Sequence, residues 1–409
     1  MPAPNAANRL KVWRRRLRDS GTHWLYRSPF WVQRFNGLLQ RDLLGRPVPR
    51  LSTRARSYLE KHPDEGRWHP VFPEIAAGYP DPITLPEDRA TFASFRSPTF
   101  RDVGIAELTK AEIIGQHAIP YTQRGVLLHD LTFFEKQPPA EAYAARAPHT
   151  WRHLPGRTLS LGTPYACINF THSLVDCLPR LHLARAAGLD PASFDQIVLP
   201  RIPFPLLRDA LLAALAVPES RIRWADTGVG FRCDTLFQTA HPCVDLAPAY
   251  PPWIRSALPP SLITPDTPNT AHRRVYLARG PGRRALINET EVAALCTEFG
   301  FETVASSSLK NAADYVRLFS ECAAVISPHG AGLTNVIFMP PGGTVVELAP
   351  SDWIRPYYYT LAAGNSQRFA ALRTESDGVM LPEQDYTTSV IADLGKLRRL
   401  LAELFSAQP

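Results

Sequence analysis

Four short segments of the sequence combine residue types that suit the binding of an anion or the transfer of a proton. The first is residues 327–335, SPHGAGLTN, which follow an apolar run typical of a strand. Small residues at a strand-to-helix turn let a phosphate approach the backbone, and the N–H groups and dipole of the helix start attract negative charge. The segment therefore predicts an anion site, with a purely structural turn as the alternative; its contacts would come from His329, Gly330, Ala331, Gly332 and Asn335.

The second segment places three arginines after a predicted strand at residues 274–278. Arg279, Arg283 and Arg284 can converge on a diphosphate, because the guanidinium fork matches phosphate oxygens. Ordinary surface charge is the alternative for each of them. Asn288 lies just before a predicted helix, and it either joins this anion site or caps the helix.

The third segment is residues 169–180, NFTHSLVDCLPR. His172, Asp176 and Arg180 are spaced by four, which aligns them on one face of a helix, although Pro179 predicts a kink or a break there. A carboxylate that fixes the tautomer of an imidazole makes a general base, so we expect His172 and Asp176 to act in catalysis. The alternative is a pair that only stabilises the helix. Asn169 and Arg180 are expected to contact a second substrate.

The fourth segment is the apolar run at residues 344–348, which contains Glu347. A carboxylate at the end of a strand can accept hydrogen bonds from sugar hydroxyls, and a solvated charge is the alternative. The sequence contains no Asp-x-Asp triplet and no His/Cys/Asp cluster with metal-ligand spacing. We therefore expect no metal and no other cofactor, with cationic side chains and helix starts neutralising a phosphate instead.

These segments lie in a chain whose apolar pattern alternates between strand and helix periods. After residue 268 the pattern predicts strands at 274–278, 302–305, 323–327 and 344–348, with helices between them. Such alternation indicates an α/β fold with a parallel sheet that receives ligands at the carboxyl ends of its strands. A weaker pattern of the same kind precedes it, with helices at 171–187 and 205–216 and strands at 196–199 and 221–225.

Charge and proline content divide the 409 residues into regions. Residues 1–56 hold 13 Lys and Arg against two Asp, which makes a basic, aromatic arm. Prolines crowd residues 248–268 and predict a stiff linker. We therefore expect a first α/β domain at 57–267, a second α/β domain at 268–390 and a final helix at 391–409.

The basic arm predicts a surface that meets anions. Within residues 9–34 apolar and aromatic side chains alternate with Lys and Arg, so this stretch either lies on an anionic membrane or packs on the body with a solvated basic face. Nucleic acid is not expected, because no nucleic-acid fold signature accompanies the charge. No apolar run is long enough for a transmembrane helix or a secretory signal, so we expect a cytoplasmic protein, peripheral on the inner membrane.

The motifs taken together resemble the glycosyltransferase family 61 domain. The resemblance rests on YLAR at 276–279, Arg284, NE at 288–289, HGAGLTN at 329–335, FMP at 338–340 and VEL at 346–348, with the His172 segment similar to that family's N-terminal motif. It covers roughly residues 160–360. Members often have a tryptophan where Ser173 stands here.

The resemblance implies a GT-B architecture of two facing, doubly wound Rossmann-like domains, the first (57–267) on the acceptor side and the second (268–390) binding the nucleotide sugar. It also implies inverting transfer from a nucleotide-sugar donor, usually without a metal. The acceptor would be a hydroxyl of a surface glycan of capsule, lipopolysaccharide or exopolysaccharide type, free or lipid-linked. The donor contacts would be Arg279, Arg284, His329, Gly330, Ala331, Gly332, Asn335 and Glu347. The same scaffold also admits a nucleotide-sugar epimerase, a pyruvyl-type transferase or a non-catalytic glycan-assembly protein.

Overall fold

The computed structural model describes residues 54–96, 99–132, 148, 150–242, 250–258, 271–281, 285–376 and 389–405. The predicted basic arm, apart from its last three residues, lies outside these segments. So do Arg283, Arg284 and most of the proline-rich stretch before residue 268.

The strands of the described segments form two large sheets and one small pair. In chain order they are β1 (Gly66–Phe72), β2 (Ile75–Ala76), β3 (Thr99–Phe100), β4 (Val103–Thr109), β5 (Glu112–Ile114), β6 (Ile119–Tyr121), β7 (Thr150–Ser160), β8 (Gln196–Pro200), β9 (Ile222–Ala225), β10 (Val229–Thr239), β11 (Arg273–Ala278), β12 (Glu302–Ala305), β13 (Cys322–Pro328), β14 (Thr344–Pro350), β15 (Arg368–Ser376) and β16 (Val390–Ile391).

The α-helices of these segments cover the sheets. They are α1 (Ala55–Lys61), α2 (Leu178–Ala186), α3 (Pro205–Leu215), α4 (Tyr250–Ala257), α5 (Glu289–Glu298), α6 (Ala312–Ser320), α7 (Tyr357–Gly364) and α8 (Leu394–Phe405). A π-helical segment, His172–Cys177, leads directly into α2, and a 3₁₀ helix, Ala331–Phe338, follows β13. Shorter 3₁₀ turns are Pro63–Glu65, Pro86–Asp88, Ala93–Phe95, His129–Leu131, Pro191–Ser193, Glu219–Arg221 and Ser306–Ser308.

The first sheet is mixed, with the main strand order β1-β4-β10-β7-β8-β9 and with β5 and β6 paired beside β10. Strands β10, β7, β8 and β9 are parallel, whereas β4 runs antiparallel to β10. Helix α2 connects β7 to β8, and α3 connects β8 to β9. The predicted βα alternation of this region is therefore present, with extra antiparallel strands that the sequence pattern did not indicate.

The second sheet has the order β12-β11-β13-β14-β15-β16, and its first five strands are parallel. The α/β class predicted from the sequence is confirmed. Because the chain steps from β11 out to β12 and then returns to β13, the crossovers reverse direction between β11 and β13. Parallel sheets of this kind bind ligands at such a reversal, outside the carboxyl ends of the two strands.

The two sheets share one hydrophobic core. A single cluster of buried apolar side chains runs from Leu159 and Leu181 in the first unit to Val275, Val336 and Tyr359 in the second. Burial of apolar area at about 25 cal/mol per Å² makes such a joint core a strong constraint on how the units sit together. The loops at the carboxyl ends of both sheets can therefore contribute to one site.

The N-terminal part of the chain also packs on the second sheet. Ile83 forms a parallel bridge with Ala370, and the Tyr359 hydroxyl donates to the Pro80 carbonyl at 3.1 Å. Lys396 on α8 pairs with the buried Asp88 at 3.3 Å. Residues 80–88, which follow β1 of the first sheet, thus lie against the second sheet, while the domain limits proposed from the sequence remain predictions.

None of the helices in the described segments is both long and apolar enough to span a bilayer.

Candidate active site

A crevice of about 450 Å³ opens at the carboxyl ends of β11 and β13, where the order of the second sheet reverses. Its walls are formed by the end of β11 with the residues after it, and by the end of β13 with the bend after it. Ser306 and Tyr315 complete the walls. The lining residues are Leu277, Ala278, Arg279, Gly280, Pro281, Ser306, Tyr315, Ser327, Pro328, Gly330, Ala331 and Gly332.

The guanidinium of Arg279 lies against the glycine-containing bend. Its Nη1 donates to the carbonyl of His329 at 2.8 Å. A Cβ on Gly330 would lie 2.2 Å from that Nη1, and a Cβ on Gly332 would lie 2.9 Å from Leu277 Cδ2. The structure therefore brings two of the predicted anion-binding features, 50 residues apart in sequence, to one crevice. A side chain at Gly330 would require the Arg279 guanidinium to move, and one at Gly332 would require the Leu277 side chain to move.

Glu289 holds the turn that carries Arg279. Its carboxylate accepts the N–H groups of Arg279 at 2.7 Å and Gly280 at 2.8 Å, and the hydroxyl of Tyr276 at 3.3 Å. Burial, together with the neighbouring carboxylate, raises the pKa of Tyr276, so this hydroxyl stays protonated as a donor. In the sequence, Glu289 stands out only as part of the NE motif at 288–289, with no role at the site assigned to it. An acidic residue in the first turn of the helix after β11 was the available signal.

His329 is oriented by Glu347. Its Nδ1 lies in a short hydrogen bond with Glu347 Oε1, and both side chains are buried. Because a carboxylate only accepts, Nδ1 carries the proton and Nε2 is the ring atom left for a ligand. The ring of Tyr358 lies 5.0 Å away and limits its rotation. Glu347 is thus neither a solvated charge nor a residue of the crevice wall; it fixes the histidine.

Two asparagines predicted at the donor site have structural contacts. Asn335 is buried and donates to the Gly332 carbonyl at 3.0 Å. Asn288 donates to the Ala392 carbonyl at 2.8 Å and accepts the Ala392 N–H at 3.1 Å, which ties α5 to the strand before α8. Asn288 makes no side-chain capping bond. Neither asparagine lines the crevice, so the structure gives both a supporting role instead of the predicted contact.

The histidine of the other motif also pairs with a carboxylate. His172 Nδ1 lies 2.5 Å from Asp176 Oδ2; the Asp176 side chain is 2% exposed and that of His172 19%. As for His329, the carboxylate fixes the proton on Nδ1, so the lone pair of the neutral ring is on Nε2. A pair that only stabilises a helix would lie in solvent, and surface pairs contribute little. The burial of Asp176 therefore favours the predicted orienting role.

The backbone at this pair is π-helical for a local reason. Pro179 has no N–H to offer the carbonyl of Val175, and the N–H of Leu178 bonds instead to Ser173 five residues earlier. The predicted kink at Pro179 therefore takes the form of a widened turn. Such widened turns occur often at functional sites.

Arg180 and Asn169, both predicted to face an acceptor, hold the fold together. Arg180 has no exposed surface; its Nη1 donates to the Thr239 carbonyl at 2.7 Å and its Nη2 to the Leu131 carbonyl at 3.0 Å. Asn169 Oδ1 accepts the Thr171 N–H at 2.9 Å and closes the turn before His172. A side chain without exposed surface cannot touch an acceptor. The predicted acceptor contact of Arg180 is therefore wrong, and its guanidinium stabilises the fold instead.

A second histidine, which the sequence analysis did not single out, lies behind Asp176. His241 Nε2 is 3.6 Å from Asp176 Oδ2, and both side chains are buried. Burial lowers the pKa of His241 to about 3. It is therefore neutral in the folded protein at any pH at which the enzyme would work, and it adds no charge behind the pair.

Acid should destabilise the protein through His241. Between pH 6.5 and about 3 the unfolded chain binds a proton at His241 that the folded protein does not, so stability falls as pH is lowered through this window. We expect His241→Asn to remove a slope of about 1.4 kcal/mol per pH unit from the free energy of unfolding. Urea melts of both proteins at several pH values measure it. Parallel slopes in the two proteins would contradict the burial of a neutral imidazole.

The two motifs meet through a pair of threonines. Thr171 Oγ1 lies 2.8 Å from Thr334 Oγ1, a contact between residues 163 positions apart. Thr171 directly precedes His172, and Thr334 is two residues after Gly332, about 4 Å along a 3₁₀ helix. The turn that carries His172 and the helix that follows the crevice bend are therefore neighbours in space.

No three His, Cys, Asp or Glu side chains within the described segments are grouped as metal ligands would be.

The part of the chain that is similar to known proteins includes this site. The family model described as Glycosyltransferase 61 matches residues 170–346. The β-1,2-xylosyltransferase XAX1 of Oryza sativa subsp. japonica is 32% identical over 105 residues, which cover 25% of this chain and 18% of that protein. Protein O-linked-mannose β-1,4-N-acetylglucosaminyltransferase 2 of Homo sapiens is 37% identical over 112 residues, with shares of 25% and 18%, and that of Canis lupus familiaris is 44% identical over 79 residues, with shares of 19% and 13%.

The chain thus matches less than a fifth of the length of each of these relatives. The family match begins two residues before His172 and ends one residue before Glu347, so it contains both halves of the site apart from that last carboxylate. The resemblance indicated by the motifs is confirmed, since residues 170–346 match the glycosyltransferase 61 family model and the relatives carry glycosyltransferase names.

Proposed function

We propose that this protein is an inverting glycosyltransferase that moves a sugar from a nucleotide-sugar donor to a hydroxyl of a glycan. One observation carries the proposal: an anion crevice and a carboxylate-oriented histidine lie side by side across the Thr171–Thr334 contact. The relatives support the reaction class, because they are named as a xylosyltransferase and as N-acetylglucosaminyltransferases.

The donor diphosphate would lie in the crevice. Arg279 supplies positive charge there, and the first N–H groups of the 3₁₀ helix that starts at Ala331 have no partner within the helix. His329 Nε2 would donate to a phosphate oxygen when protonated. We include Arg283 and Arg284 among the donor contacts, because they follow the crevice wall directly in sequence. With these cations at the diphosphate, we propose that transfer proceeds without a metal ion.

The acceptor hydroxyl would be activated by His172. Nε2 takes the hydroxyl proton while the acceptor oxygen forms its bond to the anomeric carbon of the sugar. The bond from that carbon to the diphosphate oxygen breaks on the opposite face, and its electron pair leaves with the nucleoside diphosphate. Asp176 stabilises the imidazolium that forms. Inversion follows from a single displacement.

The remaining features of the proposal come from the family resemblance and the sequence. We propose a GT-B arrangement of the two α/β units and an acceptor that is a surface glycan, free or attached to a lipid. The basic stretch at residues 9–34 would hold the protein at the anionic inner face of the membrane, which places it in the cytoplasm.

A thermal-shift screen across UDP-, GDP-, CMP- and dTDP-sugars tests the proposal. A ligand that binds only the folded protein adds about 2.7 kcal/mol of stability at 100 times its Kd. The variant Gly330→Ala is the matched control: its new Cβ would displace the Arg279 guanidinium, so the shift should disappear while the protein remains folded. Mass spectrometry then identifies the product of the stabilising donor. The proposal fails if no nucleotide sugar stabilises the protein and none is consumed.

A further inference from the structure

The prolines at 248–268 predict a linker, whereas residues 250–257 form a helix, α4. Pro251 and Pro252 lie in its first turn, where the N–H groups that they lack would have no partner within the helix. Ile254 is fully buried in the common core, and the Trp253 ring lies 5.3 Å from the His182 ring of α2, between centroids. Helix α4 is therefore packed firmly on the first unit.

Helix α4 also contacts both halves of the candidate site. It packs against the π-helical segment His172–Cys177, which carries the proposed base. It packs as well against the 3₁₀ helix Ala331–Phe338, whose first residues line the crevice. One helix thus supports the two segments that sugar transfer has to hold at a fixed distance from each other.

Arg255 of α4 donates a hydrogen bond to the end of the 3₁₀ helix. Its Nη1 lies 2.9 Å from the carbonyl oxygen of Met339, the residue that ends this helix. The last carbonyls of a helix lack partners within it and carry partial negative charge, so a cation there is stabilising. Within the described segments no carboxylate pairs with Arg255, and burial lowers its pKa. The charge of Arg255 is therefore directed at the helix end.

Two amide side chains of the second unit bond to the same helix end. Asn365 Nδ2 and Gln367 Nε2 donate to the Met339 carbonyl at 2.9 and 3.1 Å, and both also reach the Val336 carbonyl. Both are buried and lie between α7 and β15. These amides hold the 3₁₀ helix within its own unit, whereas Arg255 ties it to α4. Loss of Arg255 should therefore leave the helix folded but less firmly attached to α4.

We propose that Arg255 is a positioning residue for sugar transfer, which holds the 3₁₀ helix of the crevice in a fixed position relative to the segment that carries His172. The inference rests on the proposed glycosyl transfer. The 3₁₀ helix has eight residues, about 16 Å in length, so Arg255 at its end acts through the helix and not on the diphosphate. Small displacements between a base and a reacting centre lower rates strongly, because displacement needs aligned groups.

Arg255→Met tests the proposal in the full chain, at a temperature at which wild type and all variants are folded. We expect kcat, expressed per nucleotide-binding site counted by titration with UDP, GDP, CMP or dTDP, to fall about tenfold. The Kd of that nucleotide should change less than about twofold, because the crevice residues are intact. Arg255→Lys should lose no more than about threefold, since lysine can still donate to the Met339 carbonyl.

Ser256→Ala is the matched control on the same helix. The Ser256 hydroxyl is exposed and donates to the Trp253 carbonyl within α4 at 2.8 Å, so its removal should leave kcat within about twofold of wild type. A purely structural role for Arg255 predicts lower thermal stability with an unchanged kcat per binding site. If Arg255→Met and Ser256→Ala have equal kcat per site, or if nucleotide affinity falls in proportion to kcat, the inference is overturned.

Amide hydrogen exchange without substrate separates this inference from the proposed function. In Arg255→Met the amides of α4 and of residues 172–177 should exchange about 2- to 10-fold faster than in wild type, with those of β15 unchanged, because one hydrogen bond is lost locally. Unchanged exchange in α4, or equally faster exchange throughout the chain, would overturn the inference. If wild type consumes no nucleotide sugar, the proposed reaction fails, and the exchange result still decides whether Arg255 holds α4 to the 3₁₀ helix.

Discussion

His172→Gln is expected to lower kcat for sugar transfer by about 10³-fold, while the donor still binds. General base catalysis contributes about 10²- to 10⁴-fold, and glutamine keeps the size and polarity of the side chain but cannot take the proton. Donor affinity should change little, because the crevice residues lie in the second sheet. Single-turnover rates with saturating donor, together with nucleotide thermal shifts, measure the two quantities separately.

Asp176→Asn extends this prediction to the orientation of the base. An asparagine can donate to Nδ1, which moves the imidazole proton to Nε2 and removes the lone pair that takes the acceptor proton. We therefore expect a loss of the same order as for His172→Gln, and no further loss in the double variant.

The chain offers a matched control for both substitutions. His153 pairs with Asp234 at 2.8 Å, but both residues are exposed and lie on β7 and β10, outside the site. His153→Gln should leave kcat within about twofold, because surface pairs contribute little. A His172→Gln enzyme as fast as His153→Gln would exclude His172 as the base.

Arg279→Met is expected to lower kcat/KM for the donor by about 10²- to 10³-fold. Removal of one preorganised donor at a site of developing negative charge has effects of this size. Methionine retains much of the side-chain volume and loses both the charge and the hydrogen bond to the His329 carbonyl. The loss should appear in nucleoside diphosphate binding as well as in turnover, because in the proposed reaction the guanidinium would contact the leaving group before and after transfer.

A surface arginine provides the comparison. Arg398 on α8 pairs with Glu298 at 2.6 Å, and both side chains are 54% exposed. Arg398→Met removes the same charge from the protein and should change neither binding nor rate measurably. If Arg279→Met and Arg398→Met behave alike in donor titrations and in rate, the crevice does not bind the diphosphate.

Four strands of the second sheet, β11 to β14, could be predicted closely from the sequence, whereas β15, β16 and α7 were not predicted. The apolar periods of the four strands are local properties of the chain, and short connections leave few ways to alternate parallel strands with helices. The bend at 329–332 was equally recognisable in the sequence, because Gly330 and Gly332 mark the positions where the Arg279 and Leu277 side chains come close to it. The His172–Asp176 spacing of four residues brings the two side chains together on any helical turn.

Other predictions failed where a polar side chain bonds to a partner far away in the sequence instead of to a nearby one. Arg180 has the spacing of a site residue, but its guanidinium turns inward to the carbonyls of Thr239 and Leu131. Asn288 has the position of a helix cap and pairs instead with Ala392, 104 residues away. A buried polar group must find hydrogen-bond partners, and which ones are within reach is set by packing.

The sequence by itself determined the α/β class, the carboxyl-end location of the crevice and the pairing of His172 with Asp176, because each follows from contacts within a few residues or one βα unit. Only the tertiary structure decided that Thr171 meets Thr334, that Glu347 orients His329, and that Arg255 donates to the Met339 carbonyl. These contacts join segments far apart in the chain, and they form because the two sheets bury one common apolar core, a property of the whole packed chain rather than of any single segment.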